Sequence, residues 1–229
     1  MERDEAVSAG QAWVLAVLLW TSVVGMTALE IAPASVLTIV SADLGIDATG
    51  VSWLVSVFLL GMVVASLPTG VVLDRLDNRH AILVVAGLFL LATAWSTRAA
   101  AAGDLPSLVA ARFASGVADV VVWTAAINVV GAAFGPRRQG TSIGFITTGI
   151  PAGFAVAHVT MPLLSDAIGW ERSLLVYGVL TFASAAAFWL YSRKLRLRTS
   201  FETPSRGEVG AVLRNPFVWA VAVMAFAAF

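Results

Sequence analysis

The sequence predicts an all-α membrane protein: a six-transmembrane-helix bundle followed by part of a seventh helix. Three observations carry this. The 229 residues are 59% hydrophobic and 12% charged, with a mean hydropathy of +0.89, whereas soluble domains average about 45–50% apolar and about 25% charged. Apolar runs near the roughly 20 residues that cross a hydrocarbon core recur along the chain. Strand edges facing lipid would leave backbone groups without partners, so such spans are helices.

Six runs qualify in order, at about 12–38, 51–72, 81–97, 106–134, 140–164 and 172–191. The leading MERDEAVSAGQAW carries Glu2, Asp4 and Glu5 against Arg3, a poor signal-peptide start, so the first span is expected to stay uncleaved. A seventh run opens near Pro216 and reaches Phe229. Its roughly 14 apolar residues span about 21 Å at 1.5 Å per residue, short of a core of about 30 Å. The expectation is a fragment of a longer protein, or a last segment lying at an interface. Residues 1–192 read as an N-terminal six-helix bundle, 193–214 as a basic cytoplasmic linker, and 215–229 as the start of a seventh helix whose partner half is absent.

Cation placement sets the expected topology. The connections after spans two, four and six hold Arg75 and Arg79, then Arg137 and Arg138, then Arg193, Lys194, Arg196 and Arg198, with Arg206 and Arg214 beyond. The opposite connections hold only Arg98 and Arg172, beside Asp43, Asp47, Asp104, Asp166 and Glu171. The N-terminus is therefore expected in the cytoplasm, with the protein multi-pass in the plasma membrane. Trp53, Trp95 and Trp170 near outer ends, and Trp13 and Trp189 near inner ends, read as an aromatic belt.

Composition also excludes. Net charge is zero, so no basic field argues for nucleic acid. With no cysteine and two histidines, and no H-E-x-x-H, neither a metal nor a metalloenzyme is expected. No cofactor and no nucleophile–base pair stands out, so the protein reads as a non-enzyme. The missing G-x-x-x-x-G-K-[ST] loop favours an ion gradient over ATP as energy source.

Charges inside spans are costly and mark function. Glu30 lies in the first span, and Arg112 and Asp119 in the fourth. By helical periodicity Arg112, Ser115, Asp119 and Trp123 share one face, as do Trp20, Thr27, Glu30 and Ala34. Rise per residue puts Arg112 roughly 10 Å below the outer end, Glu30 roughly 15 Å and Asp119 roughly 20 Å, with Trp20 and Trp123 deeper. Two readings stand: a structural pair of Arg112 with either acid, or a proton carrier, since one arginine cannot neutralise two carboxylates. An organic cation on the acids and tryptophans, or an anion on Arg112, would fit such a cavity. His158 in the fifth span reads as a packing hydrogen bond.

Small residues four apart permit close helix packing. Gly61-x-x-x-Ala65 precedes Pro68 in span two, and Gly149-x-x-x-Gly153-x-x-x-Ala157 precedes Pro162 in span five. This parallel suggests two inverted three-helix repeats.

Four pieces, each in place, now carry a resemblance. Gly70-x-x-x-Asp74-Arg75 follows span two; Leu108-x-x-x-Arg112-x-x-x-Gly116 lies in span four; Gly169-Trp170-x-Arg172 opens span six; Ala42-Asp43-Leu44-Gly45 and Val51-Ser52-Trp53 flank span two. Together they resemble the N-terminal half of a major facilitator superfamily transporter. That resemblance implies secondary active transport of a small solute by alternating access, coupled to protons. Asp74, with Arg75 and Arg79, would belong to a cytoplasmic gate, and Arg112 would serve proton transfer. Asp77 and Asn78 stand where the signature loop has glycine and arginine, which would loosen that gate. Asp77 could still make the turn in a left-handed conformation, and Asp77 or Asn78 could cap the third span, while Gly70 would let the second end. Met161, Ser165 and Asp166 depart from the drug-antiporter pattern around Pro162. The expected partners are a small-molecule substrate, protons and the lipid bilayer, with a second half or another copy of the chain. The alternatives are a truncated, inactive or dimerising half-transporter, or a seven-helix receptor or pump.

Overall fold

A computed structural model describes residues 7–195 and Pro216. The linker beyond Leu195, and the seventh helix apart from Pro216, lie outside the described residues. Eight helices occur among those described: α1 (Ala9–Ser35), α2 (Leu37–Leu44), α3 (Ala48–Leu73), α4 (Asn78–Ala101), α5 (Leu105–Phe134), α6 (Gln139–Thr147), α7 (Gly149–Ile168) and α8 (Trp170–Ser192). Six spans are long and apolar enough to cross a membrane: α1, α3, α4, α5, α6 with α7, and α8; α2 is a short helix between the first two.

The helix starts are written in the sequence. Ser8 and Gln11 form a capping box on α1. Asp47, Asp77 and Asp104 cap α3, α4 and α5, each accepting from a backbone N–H two or three residues on. Prolines interrupt the backbone ladder in two spans. Pro33 lacks an N–H, so the Leu29 carbonyl has no helical donor, although α1 runs on through Pro33 to Ser35. Pro151 likewise cannot donate to the Thr147 carbonyl, and the fifth span breaks at Thr148. Sequence periodicity had read both spans as single runs.

Packing follows the inverted repeats. α5 packs on α3 and α4, α1 packs on α7 and α8, and α4 meets α8. Exchanging span one with four, two with five and three with six maps this arrangement onto itself. The glycines set the closest approaches. A Cβ on Gly116 would overlap the Phe58 carbonyl, and one on Gly61 would overlap the Phe113 carbonyl, so α3 and α5 touch backbone to backbone. In the other repeat a Cβ on Gly153 would sit 2.8 Å from the Val24 carbonyl, and one on Gly149 2.8 Å from Val23. The motif glycines therefore join each span to the first helix of the opposite repeat. Pro162 sits half-buried inside α7.

Two expectations need correction. Gly70 does not end the second span; α3 continues to Leu73, and a Cβ at Gly70 would meet open space. Trp170 is no belt residue. It is 3% exposed, and its indole Nε1 donates to Asp43 at 2.9 Å, tying the start of α8 to α2. Trp53, at 62% exposed, does face outward.

Gly116→Ala is expected to destabilise the bundle by about 2 kcal/mol, within the range for an overpacked contact. Gly70→Ala should leave stability unchanged. Thermal unfolding in detergent, followed by tryptophan fluorescence, separates the two; equal midpoints would refute the close α3–α5 contact.

Candidate functional site

Arg112 is 1% exposed, the bulkiest fully buried side chain among the described residues. A buried cation must be hydrogen-bonded. Its Nη1 donates to the Leu29 carbonyl at 2.9 Å, Nη2 to the Glu30 carbonyl at 2.5 Å, and Nε to the Leu54 carbonyl at 3.2 Å. The guanidinium also lies 4.8 Å from the Phe58 ring centroid, a cation–π geometry. Leu29 is the carbonyl that Pro33 deprives of its helical partner. Arg112 thus fills a hydrogen-bond gap opened by a proline on another helix. Gly116, one turn along α5, explains the reach: only close α3–α5 contact brings the Leu54 carbonyl within range.

This differs from either pair weighed from the sequence. Among the described residues, ion pairs within 4.0 Å join only Asp77 to Arg79 and His80. Arg112 is close enough to Glu30 and Asp119 to interact electrostatically, yet its donors go to backbone. The two carboxylates are left facing one cavity of about 110 Å³. Its lining comprises Val23, Met26, Thr27 and Glu30 from α1, Met62 from α3, Asp119 and Trp123 from α5, and Ile150 from α7. Neither carboxylate hydrogen-bonds to another described residue. Among the described residues, no basic side chain lines the cavity.

Trp20 is placed apart from this lining. Its Nε1 donates to Thr148 Oγ1 at 3.0 Å, and its ring stacks on Phe145 at 6.0 Å, bridging the break between α6 and α7. His158 joins α7 to α1 through Ser35 at 3.1 Å, as its packing reading required. Sequence reasoning missed Pro33, Phe58 and the broken fifth span. The signals were present: a proline four residues after Leu29, and Thr147-Thr148-Gly149-Ile150-Pro151.

The loop after α3 divides into two parts. Asp74 is half-buried, Arg75 is exposed, and neither side chain bonds to another described residue. Arg79 is committed within the bundle. It grips Asp77 through a closest contact of 2.9 Å, and its Nη1 donates to the Ser192 and Leu195 carbonyls, both at 3.3 Å, at the end of α8. Asp77 has φ −68° and caps α4 through the Arg79 N–H at 3.0 Å. So Asp77 makes no left-handed turn; it replaces the usual glycine with a cap that also orients Arg79.

The sequence pattern of the Major Facilitator Superfamily matches residues 13–229. The chain belongs to that superfamily. It is 31% identical over 137 residues to a 3-(3-hydroxy-phenyl)propionate transporter of Escherichia coli (strain K12), covering 58% of this chain and 32% of that protein. It is 27% identical over 154 residues to a probable L-galactonate transporter of the same organism, covering 66% of this chain and 33% of that one. An uncharacterized transporter of this type from Schizosaccharomyces pombe is 25% identical over 123 residues, covering 54% and 27%. The matched region thus spans about a third of the length of these relatives. The chain is a multi-pass membrane protein of that superfamily.

Removing the guanidinium with Arg112→Met should cost about 3 kcal/mol, because buried carbonyls lose charged donors worth roughly 1.5–3 kcal/mol each. Pro33→Ala restores an N–H for Leu29. In that background Arg112→Met should cost about 1 kcal/mol less. Strict additivity in chemical or thermal unfolding would disprove the division of labour between Pro33 and Arg112.

Proposed function

We propose that this chain is the N-terminal half of a proton-coupled secondary transporter of a small organic solute, working by alternating access. One observation carries the reading: Glu30 and Asp119 converge from α1 and α5 on one cavity, beside a broken helix, with no cation among the described residues lining it. Like charges sharing a small site repel, and a proton relieves the repulsion. Discontinuous helices near a midplane site are the usual device of such carriers. Arg112 holds the backbone of the site and biases the two carboxylates without consuming either.

A second six-helix unit would cover α3 and the fifth span. Their most apolar windows are only 28% and 22% buried, against 44% to 61% in the other spans. Leu60, Val63, Val64, Leu67 and Val71 are exposed on α3, and Val159 and Leu163 are exposed on α7. Rocking of the two units would expose the cavity to either side. The basic loops favour a cytoplasmic N-terminus in the plasma membrane. On that topology Asp74 would bind the facing unit in one state only, which is what biases a two-state equilibrium.

Two relatives are named for organic acids, so a carboxylate carried with a proton is the first substrate class to assay. A second reading, an organic cation, rests on the two acids and Trp123, with no cation among the described residues lining the cavity.

Asp119→Asn and Glu30→Gln, at equal membrane abundance, should each reduce pH-gradient-driven uptake at least tenfold. Full gradient dependence in both variants would rule out the proton role. Asp74→Asn should slow transport several-fold while membrane insertion, measured by surface labelling, stays normal; unchanged uptake would exclude Asp74 from the gate.

A further inference from the structure

Away from the transport cavity, a second concave site lies where α8 ends and α4 begins. A pocket of about 220 Å³ there is lined by Arg79, His80, Trp189, Ser192 and Arg193. A larger hollow of about 750 Å³ adjoins it, lined by Ala187, Leu190, Tyr191, Arg193 and Lys194. The two share Arg193. The first is polar and cationic; the second presents mainly apolar surface beneath two cations.

We infer that this pair of hollows binds one anionic phospholipid, its phosphate beside Arg193, His80 and Trp189 and an acyl chain along Leu190 and Ala187. Arg193 is exposed, and its guanidinium is held 4.7 Å from the Trp189 ring centroid. That contact steadies a long side chain over the pocket without engaging its N–H donors. His80 meets the other side of this cluster, its ring 6.1 Å from Trp189. The indole Nε1 of Trp189 has no hydrogen-bond partner among the described residues. The acid in the cluster, Asp77, is occupied by Arg79 and His80. Among the described residues, no acid pairs with Arg193 or Lys194, which leaves positive charge there that matches a phosphodiester.

The adjoining hollow decides between a lipid and a free phosphate. Leu190 is 57% exposed beside the cations, an arrangement that suits a ligand with a charged head and an apolar tail. On the proposed topology this end of the bundle faces the inner leaflet, where anionic lipids attract basic residues. The bound lipid would brace the α4–α8 contact that Arg79 makes through the Ser192 and Leu195 carbonyls.

The test uses the full chain, purified in mild detergent and titrated with dioleoyl phosphatidylglycerol, dioleoyl phosphatidylcholine or inorganic phosphate, with binding read by native mass spectrometry. One phosphatidylglycerol should be retained per chain, at least fivefold more than phosphatidylcholine. Arg193→Gln and His80→Gln, both at exposed positions, should together reduce retention at least fivefold. Arg137→Gln with Arg138→Gln, exposed cations on another loop of the same end, should leave it unchanged. Equal loss in both pairs would mean that general charge attraction, not a site, holds the lipid. Displacement by inorganic phosphate at matching concentration, or undiminished retention in the Arg193 and His80 pair, would overturn the assignment. Arg79 is left intact because it joins α4 to α8. Proton-driven uptake by these variants in lipid lacking phosphatidylglycerol should match the unaltered chain, which separates this site from the transport cavity.

Discussion

The contact on which the centre of this bundle depends is a guanidinium set against bare peptide carbonyls. Within a membrane every backbone polar group needs a partner inside the protein. Pro33 removes one such partner from α1, and Arg112 supplies it from α5 while also reaching Leu54 on α3. Three helices are thereby tied at one point. A neutral side chain of equal length would lack the forked donors that serve several carbonyls at once.

That tie has a consequence for charge. An arginine committed to carbonyls is not close enough to a carboxylate to form an ion pair, yet its positive field remains. Glu30 and Asp119 therefore share a cavity next to a fixed cation rather than bonded to it. In the proposed reading, such acids would gain and lose a proton without breaking the contacts that hold the fold. The separation matters because the residue that holds the helices together and the residues proposed to move protons are then different groups.

The same separation recurs at the signature loop. Its four charged residues look alike in sequence but divide by contact. Asp77 and Arg79 lock α4 to α8 within this half, while the side chains of Asp74 and Arg75 bond to no described residue. Replacing the usual glycine with Asp77 did not produce a flexible turn; it added a helix cap and oriented Arg79. The spacing of charges along the chain could not separate these roles, because only the end of α8, more than a hundred residues away, selects which arginine is consumed.

Local physics was readable from the chain. Run lengths and hydropathy determined six helical spans, the aspartates before α3, α4 and α5 determined where those helices begin, and the small-residue spacings marked the faces that pack. Glu30, Arg112 and Asp119 stood out because ionisable groups inside apolar runs are rare. What only the tertiary structure decided was partnership. Whether Arg112 would meet a carboxylate or a carbonyl, whether Trp170 would face lipid or Asp43, and which side of α3 would be left bare all depend on groups distant in sequence. A helix repeats its own periodicity, so it shows which residues share a face. It carries no record of which neighbour that face will meet, and that is settled only when backbones approach as closely as Gly61, Gly116 and Gly153 allow.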